Sequence, residues 1–271
     1  AEDGIRDIGV TGVQTCALPI CVGLLRRGLP THLVQRVPLA AVQPRLRGRR
    51  ARPAQRLHLQ AAQLRHQRRL VDPRDGDAVL AGGADAPLHP VVTAQLHATG
   101  ILGHDDDPRA TCKPFDLARN GIVLGEGAAF LVLESLASAQ RRKATIFAHF
   151  TGWSLAAEGD ERVGMDRSGE RLSRVIRDAL ALADCAPEQL DYVNAHGTGT
   201  RLNDEAEANA LRTALGGAVS RVACSSTKAV TGHCLGASAA LEAVLAIQAL
   251  RTGCAPGTTN YRTPDPAVPR S

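Results

Sequence analysis

The chain has 271 residues, 44% of them apolar but only 3% aromatic, with a formal net charge of +5. That is enough for one large domain or two small ones, with a core of Ala, Val, Leu and Ile in place of aromatic rings. The positive charge does not mark the whole chain as a nucleic-acid binder: residues 21–75 stand at +11, residues 1–20 at −2 and residues 76–271 at −4.

Residues 1–20 (AEDGIRDIGVTGVQTCALPI) read as the translation of a sequencing-library index primer, an artefact set apart from fold reasoning. Residues 21–74 form a second odd segment. Its stretch 43–70 is rich in Arg, Gln, His, Pro, Leu and Ala and holds no acid. GC-rich coding DNA read out of frame gives that composition; the alternative is a basic, disordered arm. His32–Leu39 reads as a return to frame. Neither segment is expected to pack. Those arginines come without aromatics or a fold around them, which argues against nucleic acid as a partner.

Residues 75–271 read as ordered protein. Asp77–Gly82 is a short strand closed by glycines, and Gly121–Gly127 (GIVLGEG) is a glycine-rich loop. Ala128–Glu134 is a strand, Leu136–Lys143 a helix, and Thr145–Leu155 is β-like. Leu172, Val175, Ile176, Ala179, Leu180 and Ala183 follow helical spacing, which predicts an amphipathic helix over Glu170–Ala183. Asp191–Ala195 is a strand entering the turn HGTGT. Asp204–Leu215 is a helix, with Asp204 and Glu207 at capping-box spacing and Gly216 at its C-cap. Arg221–Ser226 is a strand. Gly232–Leu250 is a long helix of small residues, expected to be central and buried. Its apolar part, Cys234–Leu250, is broken by Glu242 and reads as a buried helix, so no membrane span is expected. Alternating strands and helices predict an α/β sheet. The seven cysteines show no CxxC pair and no metal-ligand spacing, which fits a reducing, cytoplasmic setting.

Two histidine strings follow strands: Asn194–Thr200 (NAHGTGT) and Ser226–Ala237 (STKAVTGHCLGA). A lone histidine in such a place is more often a satisfied structural residue. Two of them, each inside a glycine-punctuated string that lets a ligand approach the backbone, point to a site.

Here the sequence resembles the β-ketoacyl-acyl-carrier-protein synthases, most closely the elongating type of dissociated fatty-acid synthesis. NAHGTGT, SSTKAVTGHCLGASAALEA, KPFD, GIVLGEGAAFLVLE and DAVLAGGADAP all match, in order, from Asp75 to about Pro266. The resemblance implies a thiolase-like layered αβαβα fold, mainly its C-terminal half. It implies that His196 and His233 are the catalytic pair that polarises a malonyl thioester carbonyl, that Lys228 is the active-site lysine holding the histidine network, and that Thr198 and Thr200 hydrogen-bond a phosphopantetheine arm. Asp204 and Glu207 match acids behind the first histidine, with simple helix capping as the alternative reading. Glu126 is structural or supports the site from behind. Phe115 and Asp116 match a loop near the entrance. The implied partners are an acyl carrier protein and, in the intact parent, a second copy of the chain. No metal and no organic cofactor is implied.

Two departures stand out. The family nucleophile is a cysteine in a T-A-C-x-x-G turn at a helix N-terminus, and no such string exists in this chain; Cys112 and Cys224 do not match it. The C-terminal G-F-G-G loop is absent as well, and the match is truncated at both ends. Back-translation of Leu64–Arg69 and Arg56–Gln60 allows a one-base shift to C-A-I-N-A-A and V-S-T-C, strings that would flank such a nucleophile. The resemblance therefore implies a decarboxylative Claisen condensing enzyme of fatty-acid or polyketide synthesis, in a chain expected to be inactive for want of the cysteine. The alternative is a non-catalytic chain-length-factor subunit, which the intact histidine pair disfavours. None of these motifs encodes acyl chain length.

Overall fold

The computed structural model describes residues 78–156 and 165–266. The two segments 1–20 and 21–74, and the expectation that they do not pack, lie outside the described residues. Strand β1 (Ala78–Asp85) pairs antiparallel with β2 (Gly127–Glu134), in register from Ala78 opposite Glu134 to Asp85 opposite Gly127. Between them lies helix α1 (Pro90–Ala98), opened by proline and capped by the His89 ring, which accepts from Val91 N. Helix α2 (Leu136–Arg141) follows β2, with Ser135 as its N-cap.

Helix α3 (Glu170–Leu182) forms where the periodicity predicts it. Leu172, Val175, Ile176, Ala179 and Leu180 are buried along one face. It docks on α4 (Arg201–Leu215), and the two helices share a core of Leu172, Ile176, Leu180, Leu211 and Leu215 with Leu190 and Val222 beneath. Burying each such side chain stabilises the fold by about 1.5–3 kcal/mol relative to leaving it in water. Gly169 opens α3 at φ 66°, and a Cβ there would lie 2.3 Å from the Ala206 carbonyl oxygen. Only glycine serves both needs at that contact.

Strands β3 (Tyr192–Asn194) and β4 (Ala223–Ser225) run parallel, with Tyr192 opposite Ala223 and Asn194 opposite Ser225. Helix α4 is the crossover between them, as a parallel pair requires. After β4 come the short helix α5 (Lys228–Thr231), a 3-10 turn at Leu235–Ala237 and helix α6 (Ser238–Thr252). None of the helices among the described residues is long and apolar enough to cross a membrane.

Three expectations are corrected. No strand forms over Thr145–Leu155. Its apolar residues serve packing and not a ladder: Ile146 buries against Ala139, and Gly152 lies so close to α3 that a Cβ would sit 2.3 Å from the Ala179 oxygen. Helix α4 begins at Arg201, not Asp204, because the Thr200 hydroxyl caps it by accepting from Asn203 N. The last long helix begins at Ser238, not Gly232, and only Ser238, Ala240 and Ala249 are fully buried in it. Among the described residues it packs against β1 and β2, and the rest of its small-residue surface is half-buried.

If the α3–α4 interface carries the fold, Ile176→Ala should lower unfolding free energy by about 2–5 kcal/mol in urea titrations. A loss below about 0.5 kcal/mol, the size of a surface substitution, would show that α3 is not docked there.

Candidate active site

The loop that leaves β3 carries the first histidine, and α4 holds that loop from behind. Glu207 accepts from His196 N at 2.7 Å and from Gly197 N at 2.8 Å. One turn earlier, Asp204 accepts from Gly199 N at 3.2 Å, from the Asn203 side chain at 3.1 Å and from Phe115 N at 2.8 Å. The two acids are therefore not a capping box of α4. Their spacing of three puts both on the helix face that looks back at the loop. Phe115, buried, adopts φ 64°, and its amide bond to Asp204 holds that turn. Gly197 sits at φ 37°, and a Cβ there would lie 2.4 Å from Ser226 Cβ. The Ser226 hydroxyl donates to Gly197 O at 2.7 Å and so ties the two histidine strings together.

The second histidine is set by the GIVLGEG loop. His233 N donates to Val123 O at 2.7 Å, and Gly125 N to His233 O at 3.2 Å. A Cβ on Gly125 would meet Thr231 O at 2.2 Å, so the loop reaches His233 only through glycine. Glu126 is exposed and accepts from Leu88 N at 3.0 Å, holding the chain after β1. Asp116 accepts from Ala118, Arg262 and Thr263 amides, and so fastens the Phe115 loop to the segment after α6. Burial works against its charge, but those amides outweigh it and hold the carboxyl below its ordinary value.

The His196 and His233 rings meet edge to face with centroids 5.4 Å apart. Lys228 is 1% exposed, and its ammonium contacts the Glu242 carboxylate, His196 O at 2.5 Å and His196 Nδ1 at 3.3 Å. An ammonium only donates, so His196 Nδ1 is an acceptor and the ring proton sits on Nε2. The same logic fixes the partner ring: Leu235 N donates to His233 Nδ1 at 3.1 Å. Burial pushes His196 well below the ordinary histidine value, reinforced by Lys228 and His233. Burial and Lys228 bring His233 down to about 4. Both rings are thus neutral at pH 7, each with an Nε2–H donor. Burial pushes Glu207 up to about 7, against its two amide donors and Lys228. Asp204 and Glu242 are also raised by burial.

Thr198 and Thr200 share a hydrogen bond of 2.9 Å; Thr198 is 6% exposed, and Thr200 is half-buried as the cap of α4. Among the described residues no cysteine supplies a reactive thiolate next to the rings. The Cys112 thiol donates to Lys228 O at 3.4 Å, and burial pushes it up to about 11. Burial also raises Cys224 and Cys234. Among the described residues no group of His, Cys, Asp or Glu is arranged to hold a metal ion.

Sequence reasoning missed two residues of this cluster. Glu242 was visible as the lone charge in an apolar run, and a buried charge demands a partner. Arg119 is 3% exposed, lies 2.5 Å from Asp265 and 3.5 Å from Asp204, and gave no signal in its loop. Glu242→Ala, which strands the Lys228 charge, should cost about 3–5 kcal/mol in unfolding free energy, while Lys228→Met combined with Glu242→Leu should recover most of it. A double variant as unstable as the single one would contradict the pairing.

With this geometry in view, the family description "Beta-ketoacyl synthase, N-terminal domain" matches residues 51–139 and "Beta-ketoacyl synthase, C-terminal domain" matches residues 147–262. The chain is 38% identical over 201 residues to 3-oxoacyl-[acyl-carrier-protein] synthase 2 of Coxiella burnetii, covering 74% of this chain and 49% of that protein. It is similar, at 33% identity and TM-score 0.71, to a type II polyketide ketosynthase solved in complex with its acyl carrier protein bound to the hexaketide, covering 74% of this chain and 50% of that one. The ishigamide ketosynthase/chain length factor matches at 33% identity and TM-score 0.65 over 79% of this chain and 49% of that one. The chain spans about half the length of these relatives. Motifs, α/β architecture and relatives agree that this chain has a thiolase-like fold and belongs to the β-ketoacyl synthase family.

Proposed function

We propose that the described residues form the malonyl-activating half of a β-ketoacyl-acyl-carrier-protein synthase, and that the expected inactivity is confined to condensation, the step that needs the missing cysteine, while the chain still carries out decarboxylation. The supporting observation is the pair of neutral imidazoles, 5.4 Å apart, with both Nδ1 atoms occupied as acceptors. In this reading a malonyl thioester places its carbonyl oxygen between the two Nε2–H groups. The bond between the α-carbon and the carboxylate breaks, CO₂ leaves, and the electron pair moves onto the thioester oxygen as an enolate. Preformed donors stabilise that charge better than water, which must first reorient. Lys228 orients His196, and Thr198 and Thr200 hold the pantetheine arm. In the intact parent a cysteine would carry an acyl group for the carbanion to attack. Here the enolate takes a proton from water and leaves as the acetyl thioester.

The acyl carrier protein is the proposed donor of the thioester, in fatty-acid or polyketide synthesis, and the intact parent is proposed to be a homodimer. A cytoplasmic setting is proposed from the scattered spacing of the seven cysteines, which form no CxxC pair. The missing nucleophile favours one other reading, a chain-length-factor subunit. His196, His233 and Lys228 speak against it, because a subunit without chemistry has no need of two neutral donors.

The purified chain should convert malonyl-pantetheine to acetyl-pantetheine and CO₂, and His196→Ala or His233→Ala should lower the rate about 10²–10³-fold, the size expected for one oxyanion donor. Neither an acyl thioester nor cerulenin should label any cysteine. Absence of CO₂ release would refute the decarboxylation, and covalent labelling at a single cysteine would refute the claim that no acyl-enzyme forms.

A further inference from the structure

Asp85 ends β1, in a strand whose motif matched the family without any residue being given a task. Its carboxylate Oδ2 accepts from Gly236 N at 2.9 Å, across 151 positions of sequence. The two backbones approach closely here: a Cβ on Gly83 would fall 2.5 Å from Gly236 O. Gly236 is the middle of the 3-10 turn Leu235–Ala237, and Leu235 opens that turn at φ 41°. A branched residue holds the left-handed region only where its surroundings impose it. The same strained Leu235 supplies the N–H that reaches His233 Nδ1 at 3.1 Å. The Ser238 hydroxyl lies 3.3 Å from the same nitrogen.

We infer that Asp85 is a positioning residue which, by clamping the Gly236 amide, holds Leu235 in its strained turn and so fixes His233 in the form that carries its proton on Nε2. This rests on the malonyl-activating reading of His233 given above. Without the carboxylate, Gly236 N–H turns to water and Leu235 relaxes toward negative φ, withdrawing its N–H from Nδ1. The imidazole can then move its proton to Nδ1 and donate it to Ser238 Oγ. Nε2 becomes an acceptor, the wrong polarity for an enolate oxygen.

The test uses the full chain with ¹⁵N-labelled histidine. Wild type should show a protonated Nε2 and an unprotonated Nδ1 at His233. In D85A, signal should shift toward protonated Nδ1, and kcat for malonyl-pantetheine decarboxylation should fall about tenfold with KM unchanged, the size seen where partners that orient a histidine are removed. D85N keeps an acceptor oxygen and should retain both the tautomer and most of the rate. If D85A does not fold, D85S, too short to reach Gly236, gives the same readout. Unchanged tautomer and unchanged kcat in the folded variant would overturn the inference. A wild type that releases no CO₂ but still changes tautomer in D85A would remove the malonyl reading and leave the positioning role standing.

Discussion

An ammonium group has been taken almost wholly out of water at Lys228, and the arrangement around it follows from the need to satisfy that charge. An isolated buried charge is too costly to keep, so every donor must find an oxygen or a lone pair. Glu242 answers from α6, and the His196 carbonyl and ring nitrogen answer from the β3 loop. One side chain thereby fixes the distance between α5, α6 and the first histidine string. Its positive charge also disfavours protonation of both imidazoles, which keeps them neutral donors. Such a buried pair is weak evidence for stability. Its contribution here is to specify the polarity of a ring.

The acids on α4 work on the same principle with the opposite sign. Asp204 and Glu207 are buried and direct their oxygens to backbone amides of the loops at Phe115 and at His196–Gly199. A glycine-bearing turn leaves its N–H groups without ladder partners, and a rigid helix that brings carboxylates to those groups converts a flexible loop into a fixed one. Asp116 does this for the segment after α6, and Asp85 does it for the turn that follows His233. Four carboxylates thus shape the walls around the two rings without having to touch a substrate.

Much of this was legible in the sequence because the features involved are local. The α3 face, the β3 and β4 strands and the two histidine strings each announce themselves by period or by glycine placement, and the parallel pairing that joins the strings follows from βαβ logic. The failures are also local to explain. Thr200 sat inside a motif read as ligand-binding, so its service as the α4 cap went unseen and Asp204 was given that task. The β-like character of Thr145–Leu155 came from residues that pack on α2 and α3 instead of pairing in a ladder. Glu242 could be seen as a charge out of place, but its partner lay 14 residues upstream in another element. Asp85 and Arg119 act across more than 140 positions, and no periodicity reports contacts of that kind.

The account turns on two imidazoles presenting protons to one oxygen. A crystal structure of the chain with a stable malonyl-pantetheine analogue, its thioester sulfur replaced by methylene, tests that directly. The account predicts the carbonyl oxygen within about 3.2 Å of Nε2 on both His196 and His233. An oxygen bound by neither ring, or by one ring with the other turned to accept from Lys228 or water at Nε2, would contradict it.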